Sequence, residues 1–146
     1  MNETKELILT EDVKKAMLGL MPMSQGATIE YTPRAYKNSR IPEDFRPVFE
    51  IESFTKAECN EINQAYKTSE GLSEAKRDRI TRKRVKNWKS VWELSTSQQI
   101  VYDGSEESGC HGECYAKLTD AQRMDLFDEI SRISGLMVLE QSALRS

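Results

Sequence analysis

The sequence predicts a mainly α protein: a small helical domain with an extended N-terminal arm and one short β-hairpin or isolated strands. Three observations carry that expectation. Apolar residues recur at spacings of three and four in several windows, which places them on one side of a helix. Thr55 with Glu58, and Thr119 with Gln122, have the spacing of a capping box, in which two side chains satisfy donors at a helix start. The 146 residues hold only 7 glycines and 4 prolines, and Gly26, Pro33 and Pro42 fall in one stretch, 23–46, that has no sustained period, with Pro47 directly after it.

In chain order, a short apolar patch at Leu7, Ile8 and Leu9 precedes Thr10, a residue suited to capping a helix. Val13, Ala16, Met17 and Leu20 follow on one helical face, and Pro22 ends that helix because its ring cannot continue the hydrogen-bond ladder. Residues 23–46 read as an arm, with Ile29 and Tyr31 alternating as in a short strand. Val48, Phe49, Ile51 and Phe54 form a second strand or anchor the arm. A helix capped by Thr55 carries Cys59, Ile62, Ala65 and Tyr66 as its apolar stripe, with Gly71 as its stop. Ser73 caps the next helix, read as running through a basic stretch to Val85, Trp88 and Trp92, which share a face at spacings of three and four. Ile100, Val101 and Tyr102 suggest a brief strand, with Asp103-Gly104 as a turn. The last capping box opens a helix whose buried side is Met124, Phe127, Ile130 and Met137. Gly135 interrupts it or separates it from a final short helix holding Leu136, Leu139 and Leu144.

Two parts result. Residues 1–46 form a short helix and arm. Residues 47–146 form a helical core domain, with a basic helix at 73–92 and a loop at 103–117.

Charge is distributed unevenly. Residues 76–89 hold Lys76, Arg77, Arg79, Arg82, Lys83, Arg84, Lys86 and Lys89 against Asp78 alone, a block of +7 that leaves −10 for the rest of a chain whose total is −3. Such a block is suited to a phosphate backbone, an acidic protein surface or the chain's own carboxylates. No apolar run approaches a bilayer span, and no stretch has the order of a secretory signal. Three cysteines, an odd count, argue against a disulfide framework and for a reducing compartment.

Little in the sequence points to catalysis. Cys110, His111 and Cys114 are zinc-ligand types at a spacing wider than a CxxC knuckle, and a fourth ligand, such as Cys59, would have to come from elsewhere. A cysteine–histidine nucleophile needs the two groups to meet in space, which adjacency along the chain does not secure. Phosphate-loop and dinucleotide motifs are lacking. A single histidine in a chain of this length argues against an enzyme, and no cofactor is expected. Trp88 and Trp92 read first as core anchors and second as stacking platforms for bases.

Several local patterns together carry a resemblance. They are Ile41-Pro42-Glu43-Asp44-Phe45-Arg46-Pro47-Val48-Phe49 ahead of the Thr55-capped helix, Val85-Lys86-Asn87-Trp88-Lys89, Gln99-Ile100-Val101-Tyr102, and Glu129-Ile130-Ser131-Arg132-Ile133-Ser134. Over roughly residues 41–144 the chain resembles the small tail assembly chaperones of long-tailed bacteriophages. It departs from their pattern at Ser97-Gln98-Gln99, where an Asn-Gly or Asp-Gly turn is usual. The resemblance implies a non-enzymatic interaction protein of the host cell cytoplasm. Its partners would be the tape measure protein, with the tail-tube protein as a further one, and it would self-associate. Ile62, Tyr66, Val85, Trp88 and Trp92 would supply core or a groove for a partner helix, while Arg77 and Arg84 in the basic block would steer an acidic partner. The alternatives are a structural tail or head–tail connector component, and a nucleic-acid-binding accessory protein using residues 76–89.

Overall fold

A computed structural model describes Thr10, Asp12, Val13, residues 28–37 and residues 39–136. Its centre is an antiparallel sheet of three strands in the order β1 (Thr28–Tyr31), β2 (Val48–Glu52) and β3 (Val85–Lys89). Ile29 lies opposite Ile51, and Phe49 opposite Trp88. The mainly α expectation is therefore overturned: the fold is mixed α/β, with two further small antiparallel sheets. Residues 28–31 are part of the central sheet and not a free arm.

Between β1 and β2 the chain makes a short helix α1 (Arg34–Lys37) and a 3-10 turn (Glu43–Phe45). Two helices then separate β2 from β3. Helix α2 (Lys56–Tyr66) starts with the expected capping box: Thr55 Oγ1 accepts from Glu58 N at 3.1 Å, and Glu58 Oε1 accepts from Thr55 N at 2.9 Å. Helix α3 (Glu74–Arg82) is capped by Ser73, whose Oγ accepts from Lys76 N.

The helix expected over 73–92 stops at Arg82, and Val85 to Lys89 run as a strand. A β-bulge explains why sequence spacing misleads here. Glu50 pairs with Asn87 and Ile51 with Val85, so Lys86 is an extra residue on β3. One inserted residue shifts the alternation of side chains. Val85 and Trp88, three apart, therefore both turn inward as they would on a helix face.

After β3, strands β4 (Trp92–Glu93) and β5 (Gln98–Gln99) form a hairpin. Ser97 in its turn has φ of 57°. The left-handed region costs a residue with a Cβ about 1–2 kcal/mol and costs glycine little. Ser97→Gly is expected to raise the unfolding free energy by about 0.5–1 kcal/mol, read from the midpoint of urea denaturation. A lowered midpoint would show that the Ser97 side chain matters more than its backbone.

The strand expected at Ile100–Tyr102 is displaced to Gln98–Gln99. Ile100 N instead donates to Val91 O at 2.8 Å, and Tyr102 Oη donates to Val85 O at 2.8 Å. The expected loop at 103–117 holds a third small sheet, β6 (Gly104–Ser105) with β7 (Gly109–Cys110), and a single helical turn, α4 (Gly112–Tyr115).

Helix α5 (Asp120–Ile133) opens with the second capping box and closes at Gly135, φ 82°. Leu136 N donates to Ser131 O and Gly135 N to Arg132 O, the paired bonds of a Schellman ending, with buried Leu136 covering the last turn. Met124, expected on the buried side of α5, is 42% exposed, whereas Leu126, Phe127, Ile130 and Ile133 are buried. The expected helix at 13–20 is described only at its start, where Val13 N donates to Thr10 Oγ1. Leu7, Ile8, Leu9, Ala16, Met17, Leu20, Pro22, Met137, Leu139 and Leu144 lie outside the described residues.

The core joins the sheet to its helices. Phe49, Ile51, Val85 and Trp88 from the sheet cluster with Ile62, Ile80, Leu126, Phe127 and Ile130 from α2, α3 and α5. The Phe54 ring stands 6.0 Å from Phe127, and Phe54 N donates to Ser134 Oγ at 2.8 Å, tying the end of β2 to the end of α5.

Candidate protein-docking groove

A groove of about 1000 Å³ opens on one side of this core. Its walls are α1, the 41–47 loop, the β4–β5 hairpin and the start of α5. Side chains that folding has left uncovered line it. Ile41 is 37% exposed, Phe45 51% and Leu94 88%. Trp92 is half-buried beneath Phe45, with ring centroids 5.8 Å apart and planes tilted by 38°. Its indole N–H is buried and finds no acceptor among the described residues.

Local hydrogen bonds hold the lip in place. Arg46 Nε donates to Ile41 O at 2.9 Å, Ile41 N donates to Ser39 Oγ at 3.2 Å, and Ser90 Oγ donates to Asp44 O at 3.0 Å. Buried Pro47 and the fixed φ of Pro42 stiffen the same loop. On the far wall Tyr31 Oη donates to Asp125 Oδ2 at 2.7 Å, joining β1 to α5. Burial, and then that hydrogen bond, push the Tyr31 hydroxyl well above its ordinary pKa, so it stays a donor across the neutral range. The apolar rings and aliphatic chains are thus presented on a fixed frame.

The partner-binding residues expected from the sequence divide between core and surface. Of the residues expected to supply core or groove, Ile62, Val85 and Trp88 are buried core. Tyr66 is half-buried against the core. Trp92 alone of that set lines the groove. Trp88 donates from Nε1 to Ile100 O at 2.6 Å and meets Phe49 and Tyr102 edge to face.

The basic block is largely spent inside the protein. Arg77 pairs with Asp78 at 3.1 Å, and Arg79 with Glu61 at 2.7 Å. Arg84 bonds Glu52 and lies 3.2 Å from Glu58, and Lys86 lies 3.4 Å from the same Glu52. Arg82 Nη1 donates to Cys110 O at 3.0 Å. The Arg79 guanidinium holds the Glu61 carboxyl below the usual carboxylate range. Of the partners open to the +7 block, these residues meet the chain's own carboxylates and backbone, which removes Arg77 and Arg84 from an open steering face.

Cys110 and Cys114 are neighbours, but His111 does not join them. Cys110 and Cys114 are buried, and Cys114 Sγ donates to Val101 O at 3.4 Å. His111 is turned outward, with Nδ1 3.4 Å from Asp103 Oδ1. Burial and the neighbouring Cys114 push the Cys110 thiol well above its ordinary pKa, so it stays a protonated thiol of low reactivity. No group of three or more histidine, cysteine or carboxylate side chains among the described residues is placed to hold a metal ion. No helix among them is long and apolar enough to cross a membrane.

Sequence reasoning missed Ile41, Phe45 and Leu94. Ile41 and Phe45 stand in the Ile41–Phe49 stretch already singled out, but no periodicity marked them as exposed. The fold is that of a small mixed α/β protein with an exposed apolar groove beside its core. No known protein family, curated protein or solved structure matches the chain.

Proposed function

We propose that this chain is a non-enzymatic phage tail assembly chaperone. In this reading it binds the tape measure protein in the host cytoplasm and keeps it soluble during tail-tube polymerisation. The observation that supports this is the uncovered apolar set Ile41, Phe45 and Leu94 around Trp92. Exposed apolar surface that lines a groove and rests on a stiff frame marks a binding site for another apolar surface. A long tape of apolar helix needs such a cover until tube subunits replace it. The resemblance over residues 41–144 implies the partner, and the uncovered apolar side chains of the groove support the reading.

Co-expression with the tape measure protein followed by size-exclusion chromatography tests this. One co-eluting, stoichiometric peak is expected, and separate elution contradicts it. Leu94→Asp places a charge on the groove lip, and Leu94 is so exposed that folding does not depend on it. Its stability is expected to stay within about 0.5 kcal/mol of the parent. Its affinity for the tape measure protein is expected to fall at least about tenfold, as a charge in an apolar contact must be desolvated.

A further inference from the structure

We draw no further inference here: the strongest candidate, the apolar groove between the 41–47 loop, the β4–β5 hairpin and the start of α5, belongs to the site already described, and with lining charges that sum to zero nothing among the described residues shows what covers it.

Discussion

Trp88→Ala is expected to lower the unfolding free energy by about 4 kcal/mol, the largest loss of any single substitution considered for this chain. Trp88 is 6% exposed and sits where three parts of the protein meet. Its ring stands edge-on to Phe49 of β2 at 5.9 Å and to Tyr102 at 5.1 Å. Its indole N–H is the donor that holds Ile100 O. Removing the ring opens a cavity beneath the central sheet and strands that carbonyl. It also loosens the segment that carries Ile100 to the groove floor. Urea denaturation checks the stability. Trp88→Phe separates the parts, because it keeps most of the apolar area while losing the hydrogen bond, and about half the loss is expected. A loss below about 1 kcal/mol for the alanine variant would mean that the sheet does not depend on this anchor.

Gly109→Ala is the second large effect, expected at about 3 kcal/mol or more. Gly109 has φ of 68°, which already penalises any residue with a Cβ. An added Cβ would also lie 2.5 Å from Lys83 Cα and 2.6 Å from Arg82 O, both main-chain atoms. Neither can swing aside as a side-chain tip would. The change pushes β7 off the end of α3 and disturbs the Arg82 to Cys110 O bond. Thermal unfolding reads this directly. A midpoint within a degree or two of the parent would show that β7 and α3 separate freely, against the close approach described here.

These two positions also show what sequence spacing can and cannot convey. The capping boxes at Thr55 and Thr119, the Ser73 cap and the Gly135 stop are local chemistry, and each lies where its residues direct it. The alternation at Ile29 and Tyr31 marked a strand for the same reason. Val85 and Trp88 were misread because a bulge at Lys86 turns a strand's period of two into an apparent three. That bulge depends on pairing with Glu50 and Ile51, more than 30 residues away along the chain. The basic block was legible as charge and not as contact, since its carboxylate partners Glu52, Glu58 and Glu61 come from β2 and α2. The groove was the least legible feature. Its lip, floor and far wall come from four separated segments, and no residue in it belongs to a motif with a known reaction. Of its lining, only Trp92 was marked in advance as a partner-binding residue, and as a neighbour of Trp88, from which the fold separates it.

Whether the Phe45–Trp92–Leu94 groove receives a partner's apolar surface, as proposed, is read from hydrogen–deuterium exchange on the chain mixed with the tape measure protein. Binding is predicted to slow exchange at residues 41–47 and 91–97 and at the start of α5, with 76–82 unchanged. Slowed exchange confined to 76–89, with the groove segments unchanged, would contradict the account.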